Sequence, residues 1–101
     1  PGKGGRAQQL ALATAARLHR DWPARRAVVL AAGTDGRDGP TDAAGAVVDD
    51  TTVDRLEQLG VVVDDVLARA DAYPALDRIG ALYRSGVTGT NVADLVIAAT
   101  W

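Results

Sequence analysis

The chain has 101 residues, 48% of them apolar and 24% charged, which is the balance of one folded domain rather than of a disordered segment. Its formal charge of −2, from 11 basic and 13 acidic residues, argues against a generic binder of nucleic acid or of an anionic membrane. The absence of cysteine excludes disulfides, a cysteine nucleophile and thiolate metal sites, and no apolar run approaches the roughly 18–20 residues that span a bilayer.

The chain opens on Pro1-Gly2-Lys3-Gly4-Gly5 without a signal-peptide pattern, and reads as a piece of a longer cytoplasmic protein. Residues 6–20 are predicted as a helix, because Ala and Leu dominate and no Gly or Pro interrupts the run. Leu10, Ala11, Thr14 and Leu18 share one stripe, widened by Leu12, Ala15 and Ala16, which suggests packing on both sides. Pro23 ends the helix by disfavouring the α region at Trp22. Residues 26–32 form an apolar run that reads as a buried strand of the parallel kind. A ten-residue loop of turn formers follows, Gly33 to Asp42.

Asp42 is placed to cap a short helix over Ala43 to Val48, and Thr51 or Thr52 to cap the next, whose apolar positions are Val53, Leu56 and Leu59. Gly60 stops it. Val61–Val63 reads equally as strand or linker. A further helix is expected from Asp64 or Asp65 through Ala70, and one or two helical turns over Tyr73–Ile79. Leu82-Tyr83-Arg84 reads as a short strand, residues 85–91 as a second glycine-rich loop, and Val92 to Trp101 as a final buried strand. Trp22 and Trp101 are expected to pack at element ends. The order of elements predicts an α/β fold: a small layered domain with a short, mostly parallel or mixed sheet flanked by helices.

Three loops gather the polar and glycine residues. The first, with Lys3, Gly4, Gly5 and Arg6, leads into a helix N-terminus, where backbone N–H groups, the dipole and two cations attract an anion. It lacks the Gly-x-x-x-x-Gly-Lys-Ser/Thr spacing of a phosphate-binding P-loop. In the second, Asp35, Asp38 and Asp42 suit Mg²⁺ held beside substrate phosphates, or a general base that polarises a hydroxyl. The plainer alternative for these aspartates is Asx-turns and a helix cap. The third, Thr88-Gly89-Thr90-Asn91, offers successive backbone amides and two hydroxyls as a nest for phosphate or carboxylate, or else a simple β-turn. His19, the single histidine, reads as a surface or dipole-compensating residue, and the lone Ser85 lies far from it in sequence, so no nucleophilic triad is evident.

The stretch from Ala31 to Ala46, Ala-Ala-Gly-Thr-Asp-Gly-Arg-Asp-Gly-Pro-Thr-Asp-Ala-Ala-Gly-Ala, resembles the signature of the MOFRL domain, the C-terminal part of type-2 glycerate kinases. Gly4-Gly5-Arg6-Ala7-Gln8-Gln9 is similar to that family's opening Gly-Gly-Arg-Asn-Gln-Glu, and Thr88 to Leu95 to its closing Gly-Pro-Thr-Gly-Thr-Asn-Val-Asn-Asp. The resemblance implies phosphoryl transfer from ATP to the 2-hydroxyl of D-glycerate with Mg²⁺, in a cleft shared with a larger N-terminal domain. The isolated chain is then expected to be inactive. Arg6 would bind an anionic group of substrate or nucleotide, and Asp35 and Asp38 would order the cleft or engage metal or hydroxyl. Thr34 and Gly36 would join Lys3, Gly4, Gly5, Thr88, Gly89, Thr90 and Asn91 around phosphate or carboxylate, and Asp42 would complete a metal set.

The family's Asn and Glu stand as Ala7 and Gln9 here, so one carboxylate is missing; its closing Pro is Val87 and the Asn after Val is Ala93. Of a family Asn-Asp-Ser-Tyr segment, Asp71 and Tyr73 persist. Two other readings stand beside the kinase: an NAD(P)H-dependent hydroxypyruvate reductase, as family members are also described, and a non-catalytic anion-binding or regulatory module. The reductase reading lacks a Gly-x-Gly-x-x-Gly turn between strand and helix. Self-association is left open by the sequence.

Overall fold

The computed structural model describes residues 2–21, 26–33, 38, 41–84 and 94–100. In chain order the elements are α1 (Arg6–Asp21), β1 (Ala27–Gly33), β2 (Gly45–Asp49), α2 (Thr52–Gln58), α3 (Val63–Ala68), α4 (Ala72–Arg78), β3 (Leu82–Tyr83) and β4 (Asp94–Thr100). The strands form one sheet in the order β3-β2-β1-β4.

Every pairing in this sheet is antiparallel, where the apolar run at 26–32 suggested parallel strands. The reason lies in residues 43–48, expected as a helix and found as β2. A parallel neighbour needs a crossover of a dozen or more residues, usually a helix. Here the chain turns back instead, so that Val29 faces Val48 and Ala31 faces Ala46. In β2, Ala46 and Val48 are buried while Val47 between them is exposed. That two-residue alternation suits a half-covered antiparallel strand better than a helix.

The cross-strand register sorts the sheet into two faces. Val29 and Ala31 of β1 with Ala46 and Val48 of β2 turn toward α1, which packs on both strands. On α1 the buried residues are Ala7, Gln8, Ala11, Leu12 and Ala15. The expected stripe is therefore rotated: Leu10 is 44% exposed, and the alanines let the helix lie close to the sheet. Leu12, Leu56 and Leu76, from three helices, are fully buried in the same core. Each such side chain contributes roughly 1.5–3 kcal/mol of apolar burial.

The opposite face carries Val28 and Leu30 of β1, Val47 of β2, Tyr83 of β3 and Ile97 of β4. Val47, Tyr83 and Ile97 are exposed there. Strand β4 is thus an edge strand, and its residues 96–100 are exposed rather than buried as the sequence suggested.

The short helices also differ in detail from expectation. Thr51 occupies the N-cap of α2 without a side-chain cap bond. The turn is held from the other side: Asp49 Oδ1 accepts hydrogen bonds from the Thr51 N–H at 2.8 Å and the Thr51 hydroxyl at 2.6 Å. Val61 and Val62 form a linker and Val63 starts α3, with Asp64 and Asp65 in its first turn, where they complement the dipole. The turn over Tyr73–Ile79 is helix α4, and Gly60 and Gly80 take the left-handed conformation after α2 and α4. Trp22, Pro23 and Trp101 lie outside the described residues.

Candidate functional site

Gly33 at the end of β1 pairs with Asp94 at the start of β4, Ala32 with Gly45, and Gly45 with Tyr83. The described residues that flank positions 34–40 and 85–93 therefore stand at one end of the sheet. The opening segment reaches the same end, because Asp38 binds the start of α1. Its Oδ1 accepts the Ala7 N–H at 2.9 Å and its Oδ2 the Gln8 N–H at 2.6 Å. Helix α1 has no acidic residue in its own first turn, and Asp38 supplies the charge that the dipole favours there.

Asp38 is only 5% exposed, and these bonds satisfy both of its carboxyl oxygens. A Cβ on Gly5 would overlap its carboxyl group, which makes glycine the residue that admits the cap. The segment is locked further from inside. The Gln8 amide nitrogen donates to the Thr41 hydroxyl at 2.8 Å, and that hydroxyl donates to the Asp38 carbonyl at 2.8 Å. The Asp38 N–H donates to the Ala43 carbonyl at 2.8 Å.

Residues 2–4 lie along the turn between α3 and α4. The Gly2 N–H donates to the Arg69 carbonyl and the Lys3 N–H to Asp71 Oδ1, while Lys3 accepts from the Tyr73 N–H. The Lys3 ammonium sits 4.2 Å from the centroid of the Tyr73 ring. The Tyr73 hydroxyl donates to Asp42 Oδ1 at 2.6 Å, and Arg84 reaches both Asp42 Oδ2 at 3.4 Å and the Tyr73 oxygen at 3.3 Å. Asp77 lies 3.6 Å from the same guanidinium. The Tyr73 hydroxyl, seconded by Arg84, holds the Asp42 carboxyl below the usual carboxylate range, and the bond to Asp42 raises the Tyr73 phenol.

Of the residues singled out in the sequence, Lys3, Gly4, Gly5, Arg6, Asp38 and Asp42 are thus brought to one rim. Arg6 is exposed at the first position of α1. Thr34, Asp35, Gly36, Thr88, Gly89, Thr90 and Asn91 lie outside the described residues. The α1 N–H groups of Ala7 and Gln8, which the sequence offered to an anion, are bonded to Asp38. Asp42 does not cap a helix; it is bonded to Tyr73 and Arg84.

Both Asp38 oxygens accept backbone N–H groups and both Asp42 oxygens face donors of the protein, so a Mg²⁺ ion held by either carboxylate would share its oxygens with those donors. Sequence reasoning had no signal for Arg84, while Gln8 and Thr41 stood inside the family-like segments without a role of their own. Tyr73 was visible as a persisting family residue, without a role.

Position 9 has its own structural use. The Gln9 amide nitrogen donates to the Leu67 carbonyl at 2.8 Å and ties α1 to α3. A glutamate carboxylate there could not make that donation.

The model of the MOFRL family matches residues 1–94. Over 97 residues the chain is 47% identical to a protein from Pyrococcus horikoshii named glycerate 2-kinase, covering 96% of this chain and 21% of that protein. Over 96 residues it is 47% identical to one from Thermotoga maritima named D-glycerate 2-kinase, covering 95% of this chain and 22% of the relative. A crystal structure of a glycerate kinase from T. maritima superposes with a TM-score of 0.89 at 46% identity, over 97% of this chain and 23% of that one. The chain therefore spans about a fifth of the length of the curated relatives it matches.

Proposed function

The chain belongs to the MOFRL family, and on that footing we propose that it is the C-terminal domain of an ATP-dependent glycerate 2-kinase, a contributor of one wall of the active-site cleft and inactive alone. In this reading the γ-phosphoryl group passes from ATP to the 2-hydroxyl oxygen of D-glycerate, ADP leaves, and the hydroxyl proton goes to an aspartate. The reaction asks for positioning and charge neutralisation more than for covalent chemistry.

One observation carries the reading. Asp38 fixes the start of α1 against the sheet end where Gly33, Gly45, Tyr83 and Asp94, the described flanks of the family-like segments, lie side by side. Arg6 and Lys3 are held on that start, presented to an anionic group of nucleotide or substrate. Asp38 is the positioning residue of this arrangement, Asp35 the aspartate left to accept the hydroxyl proton, and Thr88 to Asn91 the amide-rich partner for phosphate or carboxylate. Mg²⁺ would accompany the ATP phosphates and neutralise their charge, while the Asp38 and Asp42 oxygens keep their protein donors.

The rest of the kinase chain covers the second wall. The sheet face that exposes Val47, Tyr83 and Ile97 beside the half-buried Val28 and Leu30 is apolar on a domain that makes up a fifth of its relatives, and a sheet face of that kind is stable when covered. Its occupant in this reading is the larger N-terminal domain.

The experiment joins the chain to that domain and measures ADP release dependent on D-glycerate, with NAD(P)H oxidation by hydroxypyruvate followed in parallel. Turnover by the joined protein, its loss in Arg6→Ala and none from the 101 residues alone is the expected result. A folded joined protein without glycerate-dependent ADP release ends the kinase reading. One observation favours a second reading, a non-catalytic anion-binding module: Gln9 spends its side chain on Leu67 where the family has a carboxylate. Calorimetric binding of ATP, ADP or glycerate without turnover is its signature.

A further inference from the structure

Far along α1 from this rim, two helices bring three ligating side chains together. His19 lies near the end of α1, and Asp54 and Glu57 lie three residues apart on α2, so they share one side of that helix. One ligand atom from each residue falls within 4.8 Å of the others. The His19 Nδ1 is 3.8 Å from Asp54 Oδ1, with side chains 41% and 60% exposed and therefore free to adjust. Among the described residues the Glu57 carboxylate has no hydrogen-bond or ion-pair partner. His19 and Glu57 also border an open cleft of about 410 Å³, floored by Val53, Val61 and Val63 and edged by Arg20.

We propose that His19, Asp54 and Glu57 bind a divalent transition-metal ion, Zn²⁺ foremost, as a clamp between α1 and α2. One imidazole nitrogen and two carboxylate oxygens are a borderline donor set, suited to Zn²⁺ at roughly 2.0–2.2 Å from each ligand. Ligand atoms around such an ion stand about 3.3 Å apart in a tetrahedron, so the present spacing closes by up to about 1.5 Å through rotation of exposed side chains. Two carboxylates balance the ion's charge, and three protein ligands leave a position open to the cleft for water or an external donor. Mg²⁺ gains little from an imidazole and prefers oxygen and retained water. His19 is 13 positions beyond Arg6, roughly 20 Å along the helix axis, so the site is separate from the rim described above.

The test uses the chain free of any histidine tag and titrates it with ZnCl₂ by calorimetry. The ¹⁵N resonances of the imidazole are followed in parallel, and because the chain has one histidine they report on His19 alone. The expected result is saturable binding of one Zn²⁺ per chain with a shift of the His19 ring nitrogens. His19→Ala and Glu57→Gln should each weaken binding at least tenfold, while millimolar Mg²⁺ leaves the ring unmoved. Far-ultraviolet circular dichroism without metal confirms that both variants keep the fold. Absence of saturable Zn²⁺ binding, or affinity unchanged in folded His19→Ala, overturns the proposal.

Discussion

The Asp38 carboxylate reaches a backbone N–H 30 residues earlier in the chain, that of Gln8, at 2.6 Å. Helix caps are usually supplied by the residue just before the first turn. Here the residues before α1 are glycine and lysine, chosen for close approach and charge, and the cap comes from the loop after β1. The consequence is mechanical: Asp38 and the helix start are tied to one another, so Arg6 and Lys3 are held in register with this end of the sheet.

Removal of that carboxylate should therefore loosen more than one helix end. Asp38→Ala leaves two buried N–H groups without their charged acceptor and is expected to cost about 2–4 kcal/mol, above the ordinary cap value of about 1 kcal/mol. Asp38→Asn keeps one acceptor oxygen and should lose roughly half as much. Urea denaturation of the three proteins reads the difference directly. A loss below about 0.5 kcal/mol in Asp38→Ala would show that water replaces the carboxylate without cost.

Gly5 gives an independent check on the same contact. Because an added Cβ collides with the Asp38 carboxyl, Gly5→Ala should be destabilising by about 1–3 kcal/mol, although alanine favours helices and restricts the unfolded chain. The same Cβ would also overlap the Asp38 backbone carbon, which Asp38→Ala keeps, so the second substitution relieves only the side-chain part of the clash and most of the Gly5→Ala cost should persist in the double mutant. A Gly5→Ala cost that vanishes entirely in the Asp38→Ala background would mean that the backbone contact is not made.

The Asp42–Tyr73–Arg84 group predicts a pH window with two edges. Asp42 has a lowered folded pKa, first through the Tyr73 hydroxyl. Its contribution to stability is present above the unfolded value of about 3.9 and is lost as pH falls through the lowered folded value. Tyr73 has a raised folded pKa, first through Asp42, so its contribution holds below about 10 and is lost as pH rises through the raised value. In Tyr73→Phe, the Asp42 carboxyl carbon should titrate at higher pH by NMR. An unmoved midpoint would assign the lowering to Arg84 alone.

Which parts of this were legible follows from how local their causes are. The helix at 6–20 and the strand at 26–32 announce themselves through composition and continuous apolar character. The direction of β1's neighbours does not, since it depends on what residues 43–48 do. Ala43 and Ala44 favour a helix, while Ala46-Val47-Val48 becomes a strand because Val29 and Ala31 are there to pair with it. The aspartates of the loop were readable as either ligands or caps. That Asp38 caps a helix lying behind it in sequence, and that Asp42 meets a tyrosine 31 residues ahead, are tertiary facts with no local signature. Leu10 shows the same limit, because the stripe it belongs to is apolar but the helix turns Ala7, Gln8, Ala11, Leu12 and Ala15 to the core instead.

The uncovered sheet face gives the last prediction. Val47 is 39% exposed and Ile97 53%, so a charge at either site meets water in the isolated chain. Val47→Lys and Ile97→Lys should each change its stability by no more than about 0.5 kcal/mol, the usual range for surface substitutions. In a protein joined to the larger domain, the same lysines would be buried without a partner, at a cost of several kcal/mol. Thermal unfolding should then shift sharply downward in the joined protein only. Equal and small shifts in both would place the larger domain elsewhere. Concentration-dependent sedimentation of the isolated chain, abolished by the same substitutions, would mean that a second copy covers this face instead.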